Sequence, residues 1–334
     1  MAKIHLLSAL RVERERRPGR HSDLGGFRTV LALGVLFLHS FHEIGIEYPQ
    51  LPWVAGFIAI SGYLVTGSME RSAGYAHFAW KRLLRVGPAF VLSFVLVATL
   101  GESIWDALIQ WASLGQLITG PNGSLWSLST EEILYCLLAI AFASGLYASK
   151  HRAAKSLVII LAVVAIIGLS PWTPPRRFLV VGMSFIWGSL LYVVREKIIW
   201  SAAAGVLCLF GAFIVRLFAL DLAPTAYALV NAPLIAYAMI SLALHAPPLF
   251  ANYRGQVGDP SFGIYVYHMP VLLWLKSHSI SGVMLPLATF IIVGTLGLLS
   301  WHLIEKRALS LKNVFVSKSS SSQSSIEQAA RATQ

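Results

Sequence analysis

Two residues in one apolar stretch are of the kinds that move protons and bind anions. "FRTVLALGVLFLHSFHE", residues 27–43, holds Arg28 near its start and His39 deep inside it. They are eleven residues apart, which at 100° per residue is within about 20° of a whole number of turns, so a helix shows both on one face. At 1.5 Å per residue they stand about 16 Å apart along the axis, so an arginine at a membrane boundary sets the histidine about halfway through a hydrocarbon core of about 30 Å. An ionisable group at that depth is costly and faces a bundle interior or a watery cavity. Histidine there can take up or release a proton close to neutral pH. The ordinary alternative is a histidine bonded to a neighbouring helix and an arginine that snorkels to the interface. His42, one turn on, lies nearer the surface and reads as structural.

Three further constellations carry polar chemistry. "FAWKRLLRVGPAF", residues 78–90, puts Arg82 and Arg85 on one helix face beside Lys81, with Pro88 just beyond. Two guanidinium groups on one face suit bidentate phosphate binding; spacing alone fits an ordinary positive-inside signal better. "GSLWSLSTEEILYCLL", residues 123–138, reads as an irregular helix start with Glu131 and Glu132 in the first turn. Such an acid is usually a cap. At the outer mouth of a bundle it could instead orient a histidine or hold a sugar hydroxyl. "SFGIYVYHMPVLLWL", residues 261–275, places Tyr265 and His268 on one face and predicts a kink at Pro270. Glu305 in "HLIEKR" reads as a boundary residue.

The elements that must position these residues are membrane-spanning helices. Only 12% of the 334 residues are charged and 56% are apolar, with a mean hydropathy of +0.68, where a soluble domain is about 25% charged. The fold class expected is all-α: a polytopic transmembrane helical bundle of about ten spans, at roughly 27–45, 52–69, 86–103, 125–147, 154–171, 177–195, 199–220, 225–244, 260–277 and 283–304. "IWDALIQWASLGQLI", residues 104–118, is amphipathic and predicts an interfacial or re-entrant segment. Basic residues collect in alternate loops, which predicts both termini in the cytoplasm; Arg176 and Arg177 are the exception, on the outer side. Residues 1–26 read as a basic cytoplasmic segment and not as a cleavable leader, 27–304 as the membrane domain, and 305–334 as a largely disordered polar tail.

The formal charge of +11 sits between apolar runs, which points to topology and anionic lipid headgroups and not to nucleic acid. Cys136 and Cys208 lie inside apolar runs and read as packed thiols. No CxxC or cysteine–histidine cluster has metal spacing, so no metal is expected.

Taken in order, these segments resemble the acyltransferase 3 family of polytopic membrane acyltransferases, which modify bacterial surface polysaccharides, lipopolysaccharide, Nod factors and peptidoglycan. The resemblance rests on Arg28 and His39 in the first helix, "FIAISGYLVT" (57–66), "KRLLRVGPAF" (81–90), "LWSLSTEEILY" (125–135), "SFGIYVYHMPV" (261–271) and "HLIEKR" (302–307). Gly87 stands where an aromatic is common and Thr130 where a valine is usual. No hydrolase-like soluble domain is read in the chain. The resemblance implies transfer of an acyl group, usually acetyl, from cytoplasmic acyl-CoA, a co-substrate and not a resident cofactor, to a hydroxyl of a surface polysaccharide or lipid-linked glycan. The location implied is the inner (cytoplasmic) membrane. It implies His39, Arg28 and Glu131 as catalytic groups, Lys81, Arg82 and Arg85 on the acyl-CoA, and Ser61, Trp126, Ser129, Tyr265 and His268 in binding or support. The rival from another class is a transporter or flippase of a glycan or small molecule, since many spans, buried ionisable groups and proline-broken helices also suit transport.

Overall fold

The computed structural model describes residues 21–47, 51–117, 120–168, 174–218, 222–247 and 257–314. These are helical, with no strand among them. The helices are α1 (His21–His42), α2 (Trp53–Glu70), α3 (Tyr75–Thr99), α4 (Ile104–Ala112), α5 (Leu125–Ala143), α6 (Lys150–Ile167), α7 (Arg176–Val193), α8 (Ala202–Phe218), α9 (Pro224–Leu244), α10 (Ser261–Ser277) and α11 (Met284–Ser300). A π turn, Trp301–Glu305, carries α11 into α12 (Lys306–Ser310). Among the described residues, six stretches are long and apolar enough to cross a membrane: those in α1, α3, α5, α7 and α9, and the continuous stretch Met284–Asn313. Helices suit such a chain because each backbone N–H and C=O is satisfied within its own segment.

Contacts between helix ends give the run of the chain. Arg85 near the start of α3 reaches Asp259, just before α10, and Glu305, just after α11. Lys150 at the start of α6 meets Glu196 after α7, and Ser201 before α8 meets Ser241 late in α9. At the opposite end Thr225 at the start of α9 bonds Gly168 after α6, and Lys276 late in α10 meets Glu43 after α1. The long helices therefore alternate in direction between two ends of one bundle. Their outward faces are apolar: Val91, Ile140, Ile159, Leu207, Phe210 and Ile291 are exposed, whereas Ser61, Asn122, Ser184, His268 and Thr289 are buried. A bundle in lipid has this inverted distribution, with small and polar residues between helices. The tightest seam is α2 on α7. A Cβ on Gly62 would stand 2.2 Å from the Phe185 carbonyl oxygen, and one on Gly188 2.1 Å from that of Ala59. Thr66 Oγ1 donates to Ser189 Oγ at 2.9 Å along the same seam.

Several expectations need correction. α1 begins by His21 and α3 by Tyr75, before the apolar runs; in α3 the added turns hold Lys81, Arg82 and Arg85, which extend a helix about as readily as leucine. α5 begins at Leu125 with no acid in its first turn, so Glu131 and Glu132 lie in the second turn and do not cap it. Of the tail, 305–314 is structured: Trp80 Nε1 donates to the Leu311 carbonyl at 3.0 Å. Cys136 is exposed on the apolar outer surface and not packed, while Cys208 is half-buried; both are free thiols. The basic residues of 1–20 and the tail beyond 314 lie outside the described residues.

The segment after α3 turns inward. The Asn122 side chain is fully buried and donates to the Val266 carbonyl in α10 at 2.9 Å. Gln110, on the buried side of α4, accepts from the Asn122 backbone N–H at 3.1 Å. Non-helical backbone is tolerated at such a place only where protein covers it.

Candidate active site

α1 presents Arg28 and His39 on the face it packs against α2 and α10. The Arg28 guanidinium sits 4.4 Å from the centroid of Phe57 on α2. Phe57 stacks on Tyr265 of α10 at 5.9 Å, and Tyr265 lies 5.8 Å from His268 one turn on. His268 in turn stacks on His39 with centroids 5.3 Å apart and planes 28° apart. Three rings thus form a continuous ladder between the arginine and the histidine of α1. His268 is fully buried, and its Nδ1 is 2.6 Å from the Tyr265 carbonyl oxygen. A carbonyl only accepts, so Nδ1 carries the proton and neutral His268 leaves Nε2 as a lone-pair nitrogen. That Nε2 is buried without a hydrogen-bond partner. His39 itself is half-buried.

Arg28 opens at the other side into a cavity of about 410 Å3. Five basic side chains line it, Arg28, Arg71, Arg82, Arg85 and Lys312, against two carboxylates, Glu131 and Asp259. Glu131 is 4% exposed and accepts from both the Ser61 and Tyr135 hydroxyls. Glu131 faces the cavity of Arg28, within a knot of two hydroxyls. Arg82 lies 5.8 Å from the Tyr135 ring and donates to Ser68 Oγ at 3.4 Å. Arg85 is held by Asp259 at 2.9 Å and stands 3.8 Å from Glu305. Glu305 is not a boundary residue: it is fully buried and also accepts from Ser300 Oγ at 2.7 Å. Lys81 donates to the Ser68 carbonyl at 3.1 Å and is not part of the cavity wall.

Ser129 and Trp126 lie away from the ladder, and Tyr265 is part of it. Ser129 is buried, and its hydroxyl donates to the Leu125 carbonyl of its own helix at 2.8 Å. Tyr265 binds Ser127 through its hydroxyl at 2.5 Å, tying α10 to the start of α5. Trp126 faces a second cavity, of about 430 Å3, at the opposite end of the bundle. There Arg177 lies over Trp126 at 5.1 Å, and Arg176 lies over Tyr227 at 4.7 Å and donates to the Leu222 carbonyl. Sequence reasoning missed Tyr135, Asp259, Ser68 and Arg71. Tyr135 had a signal, since it follows Glu131 by four residues on one helix face; the others depend on which loops meet.

Known proteins resemble this chain along most of its length. The acyltransferase domain family known as acyltransferase 3 matches residues 21–304. The chain is 26% identical to nodulation protein 10 of Rhizobium leguminosarum bv. viciae, over 91% of this chain and 97% of that protein. It is 25% identical to an O-acetyl transferase of Shigella phage Sf6, over 85% and 94% of the two chains. It is 23% identical to the O-acetyltransferase OatA of Staphylococcus aureus, over 84% of this chain but 55% of that longer one. No solved structure matches.

Proposed function

The chain belongs to the acyltransferase 3 family, and on that premise we propose that it moves an acetyl group from cytoplasmic acetyl-CoA to a hydroxyl of a surface polysaccharide or lipid-linked glycan. The observation that carries this reading is the shared face of α1, with Arg28 in a basic cavity at one end of a ring ladder and His39 at the other.

In this reading α2, α6, α8 and α10 cross the membrane along with the six longer apolar stretches, which gives ten spans in the inner membrane. The end that bears Arg71, Arg82, Arg85, Lys150, Arg195 and Lys312 faces the cytoplasm, as the positive-inside tendency favours. The phosphates of acetyl-CoA bind Arg82, Arg71 and Lys312, while Arg85, already neutralised by Asp259 and Glu305, holds α3, α10 and α11 together. The acyl arm then extends along the ladder toward His39.

The acceptor hydroxyl attacks the thioester carbonyl while the His39 imidazole takes its proton. A new C–O bond forms, the C–S bond breaks, and the leaving thiolate recovers the proton from the imidazolium. General base catalysis of this kind contributes about 10²- to 10⁴-fold. His268, stacked on His39 and pinned through Nδ1, sets the plane of that ring. Arg28 holds the donor and not the reacting carbonyl, because about 16 Å of helix separates the two levels and both side chains lean toward the helix start. Glu131, tied to Ser61 and Tyr135, fixes the wall that the donor passes.

The test is to incubate membranes with acetyl-labelled acetyl-CoA and follow the label into glycan. Transfer by the wild type and none by His39→Ala, at equal membrane abundance, supports the reading. Transfer retained in His39→Ala removes that residue from the chemistry, and no transfer by the wild type overturns the function.

A further inference from the structure

The cavity at the end of the bundle away from Arg82 plays no part in holding the donor. Its composition is unlike that of a lipid-facing cleft. Arg176 and Arg177 from α7 and Arg216 from α8 line it, and no carboxylate does among the described residues. Trp53, Trp126 and Tyr227 supply aromatic walls. Asn231 on α9 is 2% exposed, and its amide oxygen is buried without a hydrogen-bond partner although it lines this cavity. Leu38, the neighbour of His39 in sequence, also lines it.

Each feature asks for a complementary group. The Arg177 and Arg216 guanidinium groups suit an anion, best a carboxylate or phosphate that takes two parallel N–H bonds. Flat aromatic walls offer apolar faces with a polar edge, which suits a sugar ring. A buried amide oxygen with no partner costs free energy until a donor such as a hydroxyl reaches it. An acidic sugar carries all three groups in one molecule.

We propose that this cavity is the acceptor site and that it selects a saccharide bearing an acidic group, held by Arg177 and Arg216, with ring faces on Trp126 and Tyr227. The proposal rests on the acyl-transfer reading and names the acceptor class for it. It also accounts for basic residues at the end of the bundle where the positive-inside tendency disfavours them.

Purified full-length protein in detergent is titrated with a galacturonic acid trisaccharide and with its carboxyl-reduced neutral counterpart. The wild type should bind the acidic form about tenfold more tightly, the scale of one charge-assisted pair. That preference should vanish in R177Q/R216Q, persist in the charge-keeping R177K/R216K, and persist in R152Q, a charge loss on an exposed residue at the other end. If R177Q/R216Q does not fold, the wild type still decides the matter, since the preference must shrink as salt rises. Equal affinity for the two sugars, no binding of either, a preference that survives in R177Q/R216Q or one that ignores salt would overturn the proposal. Tighter binding of glycerol 1-phosphate than of the uronate would overturn it in favour of a lipid headgroup site. No acyl-CoA is present in these titrations, so failure of the transfer reaction would be recognised separately.

Discussion

The two cavities are nearly equal in size, about 410 and 430 Å3, yet their walls differ in kind. The inner one mixes five basic side chains with two carboxylates, and its acids are already engaged by Arg85, Ser61 and Tyr135. The outer one sets three arginines among aromatic rings, with no acid among its described lining residues. A mixed wall is held in shape before any ligand arrives, and it suits one invariant partner with several phosphates. An aromatic and cationic wall is open to sugars of differing shape. On the proposed acyl transfer, the difference separates donor recognition from acceptor recognition, with the α1 face between the two.

The largest break in that scheme is His39→Ala. Acyl transfer should fall by about 10²- to 10⁴-fold, while acetyl-CoA binding and acceptor binding, measured separately by titration, stay at wild-type values. Next comes Asp259→Ala, which leaves buried Arg85 with Glu305 as its remaining acid. Removing one member of a buried ion pair costs about 3 to 5 kcal/mol, so thermal unfolding in detergent should shift down strongly, and acetyl-CoA should restore part of the loss. Arg82→Gln should act on the inner cavity alone, raising the KM for acetyl-CoA about tenfold or more and leaving the KM for the acceptor unchanged. A matching rise in the acceptor KM would show that the two cavities are not separate. Lys150→Ala, at an exposed pair with Glu196, should change neither melting temperature nor activity measurably, as surface ion pairs contribute little.

The sequence revealed these parts unevenly. Hydropathy exposes the long helices, and a period of 3.6 residues puts Arg28 and His39 on one face, because both signals are local. The pairing of Arg85 with Asp259 and Glu305 is not local, since the partners lie 174 and 220 residues away. Nothing in "HLIEKR" separates a buried acid from one at a water boundary. Glu131 was legible as a polar residue in an apolar helix but not in its partners, because Ser61 lies 70 residues away on another helix. Arg176 and Arg177 stood out as charges on the wrong side. Arg216 did not, being hidden inside an apolar run, and only the packing of α8 against α9 brings it to the same cavity.

The seam of α2 on α7 bears on how reactants meet. Gly62 and Gly188 bring backbone against backbone there, so neither rod can slide or tilt on the other without collision. α2 begins at the outer cavity with Trp53 and ends beside the inner one at Ser68. A fused beam that reaches both chambers leaves little room for the rocking by which a carrier shows its cargo to each side in turn. On the proposed transfer, such a frame keeps its walls still, and it is the acetyl group that makes the crossing.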